Sequence, residues 1–461
     1  MPRRKPAAIL LALVLTASAG ARNIVFAHAS TFTSGASTPT QIWVADLNGD
    51  GVPDLVISDA FSSVAVLLGN GDGTFQAPVV YTEDFYVTGG VTIADFNGDH
   101  KLDLAVVGGD TLGRGLALFT GNGDGTFNPP VYSKTRLAGA AVVPAVGDLN
   151  NDGKADIFIG GNGSSEVLLG NGKGNFRSAA LIPASGYEVA ISDFNRDGIL
   201  DVAATDFIRG LVAILIGNGD GTFQSPVAIS ITGEPTGITC GDFNNDGDLD
   251  LAVTLYSGNE VAILLGDGAG GFVNSGQWYA GAEPGMVVSA DFNLDKNIDL
   301  AISNFAGDGV TLLPGNGTGA FQFPFDFSTG DKPASVAAGD FNRDGSLDLA
   351  VINNGDNNVA ILLNEAGTFV HLNSSPNPSE IGQPVTFKAG VRGSVLTSIT
   401  PTGAITFKAG STVLATVQLK EGSASFTTSA LTEGAHQITA SYSGNPRFNP
   451  NQSGILVQNV K

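Results

Sequence analysis

The chain has 461 residues, enough for two or more domains with buried cores. Gly contributes 63 residues, about twice its usual ~7% share, while charged residues reach only 14%; this argues for tight turns between apolar strands and against charged amphipathic helices. A formal net charge of −22 repels nucleic acid and anionic membranes and invites cations, and a 43% hydrophobic content excludes a disordered chain.

The first 21 residues read as a cleavable export signal. Arg3, Arg4 and Lys5 form a basic start, Ala7 to Leu15 an apolar run, and Ala17-Ser18-Ala19 or Ala19-Gly20-Ala21 a small-residue cleavage site. An uncut signal anchor is the alternative, but the run is short of the ~20 residues that span a bilayer. Loss of the signal takes the charge to −25 and predicts a secreted or cell-surface protein with no membrane span. Cys240 is the sole cysteine, so no internal disulfide can form.

From residue 46 one pattern repeats: Asp-x-Asn-x-Asp, then a ninth-position Asp opening an apolar run. It begins at Asp46, Asp95, Asp148, Asp193, Asp242, Asp291 and Asp340, at spacings of 49, 53, 45, 49, 49 and 49 residues. Each copy holds four short runs bounded by Gly, Asn or Asp; in the fourth these are Tyr187–Ser192, Val202–Thr205, Leu211–Ile216 and Thr222–Ile229. A Gly-rich turn joins the third and fourth runs, as in Gly69-Asn70-Gly71-Asp72-Gly73 before Thr74-Phe75, and again at Gly121–Phe127 and Gly217–Phe223. Four strands per repeat, repeated radially, predict a seven-bladed β-propeller over residues 22–373, with a right-handed β-solenoid as the competing arrangement. The ring closes either through Thr368–Leu372 or through an N-terminal strand Ile24–Ala27; the sequence leaves both open.

The repeated loops are candidate metal sites. Oxygen side chains at positions 1, 3, 5 and 9, with the position-7 carbonyl, can surround one hard cation. The sets are Asp46, Asn48, Asp50, Val52 and Asp54; Asp95, Asn97, Asp99, Lys101 and Asp103; Asp148, Asn150, Asp152, Lys154 and Asp156; Asp193, Asn195, Asp197, Ile199 and Asp201. They continue with Asp242, Asn244, Asp246, Asp248 and Asp250; Asp291, Asn293, Asp295, Asn297 and Asp299; and Asp340, Asn342, Asp344, Ser346 and Asp348. Three carboxylates within nine residues repel one another without a counter-ion, and an all-oxygen set in a flexible loop favours Ca2+ over Zn2+, Cu2+ or Mg2+. A plain hydrogen-bonded Asx turn is the bland alternative, weakened by seven identical copies. His100 and Lys296 replace Gly at position 6, where a left-handed backbone is needed, so those two sites are expected to be the weakest.

These loops, with the Gly-rich turn and Phe-Gln-Ala-Pro at Phe75–Pro78, resemble the FG-GAP/VCBS repeat family, to whose broad group integrin α propellers belong. The resemblance covers roughly residues 23–373. It implies structural Ca2+ on one face, an extracellular location, and commonly adhesion or ligand binding, without naming a ligand.

After Leu372 the loop motif stops, and Asn373–Pro378 reads as a linker. Short alternating strands follow at Val385-Thr386-Phe387, Ala404–Lys408, Val413–Leu419, Ser423–Thr427 and Gln437–Tyr442, predicting a β-sandwich over residues 374–461. Pro401–Phe407 and Ile438–Gly444 resemble a bacterial Ig-like domain, a class that commonly serves as a spacer or stalk; Cys and a core Trp of the antibody pattern are missing. No sorting motif is read before Lys461.

No catalytic constellation is legible. His28, His100, His371 and His436 lie far apart, and no Gly-x-Ser-x-Gly or His-Glu-x-x-His occurs. Cys240 aligns with Val44, Ile93, Val146 and Ile191 of other copies and reads as a core residue. The loop face must carry the Gly-rich turns as well. The opposite face then presents Phe61, Phe85, Tyr86, Phe207, Arg209, Tyr256 and Phe305, of which Phe207, Tyr256 and Phe305 recur at one repeat position, a recurrence that favours packing over ligand contact. Lys154, Arg196 and Arg343 are expected to point to solvent. The reading is a monomeric, non-enzymatic binding or adhesion protein for an extracellular protein or glycan. A calcium-dependent polysaccharide-active enzyme and a passive envelope component are the alternatives.

Overall fold

The structure is a computed structural model. It describes Phe26 and residues 30–461 apart from 62, 83, 86, 110–111, 113, 138–140, 365–367, 394–399, 446–447 and 449–450. The export signal, His28 and Tyr86 lie outside the described residues. No helix occurs among the described residues.

Residues 30–362 form seven four-stranded antiparallel sheets, the blades of a β-propeller. In blade 1 the strands are Pro39–Ala45, Asp54–Asp59, Ser63–Leu67 and Val79–Thr82, paired in chain order. The second strand is buried along its whole length and the fourth is mostly exposed. Alternation explains this: successive side chains of one strand point to opposite sheet faces, and both faces meet another blade. Leu55, Ile57, Ala65 and Leu67 pack with Ala350, Ile352 and Ile361 of blade 7, whereas Val56, Val64 and Val66 pack with Leu104, Val106 and Phe119 of blade 2. Each such Val, Leu, Ile or Phe side chain contributes about 1.5–3 kcal/mol by leaving water, so the core is spread around the ring between blades.

The ring closes through the N-terminus. Ser30–Thr33 pairs with Asn358–Leu362 as the outer strand of blade 7, with Ser30 opposite Ile361 and Thr33 opposite Asn358, and Phe26 bridges Asn364. The closing strand therefore lies later than Ile24–Ala27, of which Phe26 alone is described. The other option is overturned. Thr368–Ser375 pairs throughout with Val385–Gly393, and its alternate residues Val370 and Leu372 pack into the sandwich core. The linker reading of Asn373–Pro378 fails for the same reason, since Asn373 to Ser375 are strand residues of the sandwich.

In blade 4 the fourth strand is Val227–Ser230, later than the predicted Thr222–Ile229. Thr222 and Phe223 instead close the Gly-rich turn, where Asn218 N–H donates to the Thr222 carbonyl at 2.9 Å, and Pro226 has no N–H for a ladder. In the C-terminal sandwich, one sheet contains Thr368–Ser375, Val385–Gly393 and Ser423–Thr428. The other is built on Ala404–Ala409, Thr412–Gln418 and Gly434–Tyr442. Phe387, Ile405, Phe407 and Ile438 fill the space between them.

Candidate functional site

The seven acidic loops share one backbone arrangement. In the first, Asp46 Oδ1 accepts from Gly49 and Asp50 N–H at 2.8 and 3.1 Å, and Oδ2 accepts from Gly51 N–H at 2.8 Å. Asn48 Oδ1 accepts from Asp50 N–H at 2.9 Å, and Asp50 Oδ1 from Val52 N–H at 2.7 Å. The position-9 carboxylate has another task. Asp54 is fully buried; its Oδ2 accepts from Leu47 N–H at 2.9 Å and its Oδ1 from Gly69 N–H at 2.8 Å. Asp103, Asp156, Asp201, Asp250, Asp299 and Asp348 make the same two bonds, to Phe96 and Gly121, Leu149 and Gly170, Phe194 and Gly217, Phe243 and Gly266, Phe292 and Gly315, and Phe341 and Asn364. In the first six copies this staples the acidic loop to the Gly-rich turn beside it, and in the seventh it ties the loop to Asn364. The staple explains the recurring Gly: a Cβ on Gly69 would stand 2.4 Å from the Pro53 carbonyl oxygen.

The donor set is all oxygen, as a hard dication requires. Burial, with repulsion from the position-5 and position-1 carboxylates, pushes Asp156 and Asp250 up to about 6, Asp299 to about 7 and Asp348 to about 8. That repulsion is what a cation in the loop would relieve. The position-1, -3 and -5 oxygens are drawn onto the loop's own N–H groups, and among the described residues no three Asp, Glu, His or Cys side chains converge as a preformed metal cluster. The seven predicted sets are therefore each brought into one loop, with the position-9 member turned towards the neighbouring turn.

Two loop positions need a left-handed backbone. Position 6 is one: Gly51 has φ 76°, and His100 and Lys296 adopt 65° and 74°. Position 4 is the other, and the sequence reading missed it. Gly49 and Gly98 occupy it in two loops, but Asn151, Arg196, Asn245, Leu294 and Arg343 hold φ between 56° and 61° in the rest. The position-4 side chains also reach the next blade. Arg196 meets Asp248 at 2.7 Å and the Gly247 carbonyl, Asn245 donates to Asn297 Oδ1 at 3.0 Å, and Arg343 donates to the Asp50 carbonyl at 2.7 Å. Arg196 and Arg343 are exposed to solvent, as expected, and are also tied between blades, while the exposed Lys154 pairs with Asp152 at 2.9 Å. A charged position-4 side chain can bridge because the left-handed turn aims it sideways along the ring.

The opposite face is built differently. The residue five before each loop Asp sits on the innermost strand or, for Glu188, just before it, and the seven are Gln41, Gly90, Val143, Glu188, Gly237, Met286 and Ser335. Gln41, Val143, Glu188 and Met286 line a cavity of about 690 Å³ together with Phe207, Tyr256 and Phe305. Six of the seven blades contribute to it, which places it on the propeller axis. A second cavity of about 300 Å³ shares Gln41, Glu188 and Met286 and adds Trp43 and Ser335. The recurring Phe207, Tyr256 and Phe305, assigned to packing from sequence, are half-buried at this funnel. Phe207 stacks on Tyr187 at 5.6 Å and meets Tyr256 edge-on at 6.3 Å.

Of the other predicted face residues, Phe85 is buried against Tyr132, Phe61 is 58% exposed, and Arg209 pairs with Asp206 at 3.3 Å. Glu188 escaped the sequence reading altogether; aligning the copies on the loop Asp exposes it as the one charged member of its set of seven. Cys240 is half-buried beside the core of blades 4 and 5, and burial pushes its thiol up, away from nucleophilic use.

The comparison with curated proteins gives no match. Among solved structures, BBS1N in complex with ARL6DN aligns in crystals soaked with lead and with mercury, at 14% and 13% identity and TM-scores of 0.52 and 0.53. Both cover 74% of this chain, and 98% and 97% of their own. A lectin from Agrocybe aegerita that recognises non-reducing terminal N-acetylglucosamine aligns at 17% identity and TM-score 0.45, covering 84% of this chain and 98% of its own. At such identities the likeness concerns the fold. Six overlapping matches to the FG-GAP-like repeat run from residue 46 to 351, each reaching from one acidic loop past the next, and a bacterial Ig-like domain of group 3 matches residues 372–461. The chain belongs to the FG-GAP-like repeat family and carries a bacterial Ig-like domain at residues 372–461.

Proposed function

We propose that this is an exported, calcium-binding propeller that acts as a binding or adhesion protein, with its loop face holding the ring rigid and its funnel face meeting the ligand. The observation that carries this is the sevenfold identity of the acidic loops: Asp, Asn, Asp and Asp recur at positions 1, 3, 5 and 9, with the same backbone bonds. In each loop the carboxylates at positions 1 and 5, the amide oxygen at position 3 and the position-7 carbonyl would hold the ion. The position-9 carboxylate, already bonded to two N–H groups, still has lone pairs to contribute. Seven Ca2+ would reduce the charge of the exported chain from −25 to about −11.

Binding is favoured over catalysis in that three of the basic groups at the loops are engaged. Arg196, Arg343 and Lys154 all sit in ion pairs or carbonyl contacts, leaving no base among them beside a loop. The propeller fold shared with BBS1N, seen there in complex with ARL6DN, supports a partner-binding role. Equilibrium dialysis of the exported chain with 45Ca is expected to give about seven ions per molecule. A glycan and protein array in calcium should show a partner that EDTA weakens. Fewer than two bound ions at millimolar calcium would sink the metal assignment, and substrate turnover on the array would favour the polysaccharide-active alternative.

A further inference from the structure

The axial funnel holds two hydrogen-bond acceptors that lack adequate donors. Glu188 carries the only charge among the seven side chains of its position, and its carboxylate meets one donor, Gln41 Nε2, at the long distance of 3.5 Å. Among the described residues no Lys, Arg or His pairs with it. Gln41 Oε1 is buried and has no partner. A buried acceptor left without a donor is costly, and beside it the half-buried Glu188 carboxylate has only that one long bond. The cavity is also of ligand size, about 690 Å³, with Phe207, Tyr256 and Phe305 as an aromatic wall.

We propose that the funnel binds a small primary amine in its ammonium form, whose N–H groups reach Glu188 while its apolar body lies against Phe207 and Tyr256. The chemistry is selective in three ways. An ammonium supplies three donors and no acceptor, which matches a carboxylate that receives only one long hydrogen bond. A positive charge near the faces of Phe207 and Tyr256 gains cation–π attraction. An anion would meet Glu188 within a strongly acidic protein. Burial without a cation also pushes the Glu188 carboxyl up to about 8, and a bound ammonium would reverse that. The other titratable side chains lining the cavity are Tyr187, which is exposed, and Tyr256, which a hydrogen bond to Glu283 raises to about 12.

This inference rests on the binding reading for the choice of face, yet it stands apart from the calcium loops, which lie at the other ends of the strands. The test is calorimetric titration of the full exported chain, in calcium at pH 8.5, with phenethylammonium and with phenethyl alcohol as its uncharged counterpart. At least tenfold tighter binding of the ammonium is expected, and Glu188→Gln should abolish the preference without lowering the melting temperature. Phe207→Leu should weaken both ligands several-fold. Equal affinity for amine and alcohol, an unchanged preference in Glu188→Gln, or no binding of either would overturn the proposal. A calcium titration on the same samples separates the two readings: full calcium loading without an amine preference defeats only the funnel assignment, whereas an amine preference without calcium loading defeats only the metal reading.

Discussion

The two ends of the propeller obey opposite rules. At the loop end every blade repeats the same four side chains and the same staple, so that Asp54 and Asp348, at opposite ends of the repeat array, bond the same two kinds of backbone N–H. At the funnel end one structural position is filled by Gln41, Gly90, Val143, Glu188, Gly237, Met286 and Ser335. Repetition is what a shared structural task produces, because every blade must solve the same turn and hold the same charge. Variation around an axis is what a single asymmetric ligand requires, because each blade meets a different part of it. The difference teaches that in a ring of repeats the departures from the consensus are the place to look for specificity.

Removing calcium should break the comparison most violently, since it strikes all seven copies at once. A site occupied at a hundred times its Kd contributes about 2.7 kcal/mol, as an upper value that does not add fully across sites. At roughly 2–4 °C per kcal/mol for domains of 150–250 residues, emptying several loops should lower Tm by on the order of 10 °C. Differential scanning calorimetry in EDTA against 5 mM calcium measures this, and coincident melts would show the loops to be plain Asx turns.

The funnel gives the next largest effect, and it is pH-dependent. The Glu188 carboxyl is raised from 4.5 to about 8 in the folded chain, so the folded state holds a proton that the unfolded state releases. Its contribution is complete below about pH 4.5 and is lost as pH rises through 8, with a slope of at most about 1.4 kcal/mol per pH unit. Glu188→Gln should therefore match the parent near pH 5 and exceed it in urea resistance by pH 8. Parallel curves for the two proteins across that range would mean that Glu188 is solvated and the funnel is an ordinary wet channel.

The loop end was legible in the sequence because its chemistry is local. Positions 1, 3, 5 and 9 lie in one nine-residue turn, and seven copies at a near-constant spacing repeat the signal. Blade number and the placement of most strands followed from the same period. Ring closure was not legible. Ser30–Thr33 and Thr368–Ser375 are both short alternating strands, and the choice depends on Val370 and Leu372 finding a core that begins at Val385, further along the chain. Glu188 was hidden because no motif surrounds it; its meaning comes from six other strands converging on the axis. The double role of position 9 was hidden too, since the partner N–H of Asp250 belongs to Gly266, in a different turn.

That double role can be separated from metal binding. Asp250→Asn places an NH2 against the N–H of Phe243 or Gly266, leaving a buried donor unmatched at a cost of about 1–3 kcal/mol even without calcium. Asp246→Asn, at the exposed position 5, should be near neutral in EDTA and destabilising only when calcium is present. Urea unfolding of both variants in each condition tests the pair. Equal behaviour would show that position 9 is a ligand and nothing more.

The smallest effect compares two loops of the same face. Loop 1 has Gly at both left-handed positions, Gly49 and Gly51, whereas loop 6 has Leu294 at φ 58° and Lys296 at φ 74°. Loop 2, expected from sequence to be equally weak, carries one strained residue, His100, as do the loops with Asn151, Arg196, Asn245 and Arg343. A left-handed non-Gly residue costs about 1–2 kcal/mol, offset in part by the greater freedom that Gly has when unfolded. Leu294→Gly and Lys296→Gly should each stabilise the chain by up to about 1 kcal/mol and tighten calcium at loop 6, while Gly49→Ala should destabilise loop 1 by a similar amount. Terbium luminescence with each loop's Asp pair removed in turn is the fitting readout. If loop 6 proves as tight as loop 1 before any substitution, the cross-blade contacts and not the backbone conformation set the affinity, and Arg196 and Arg343 become the residues to change.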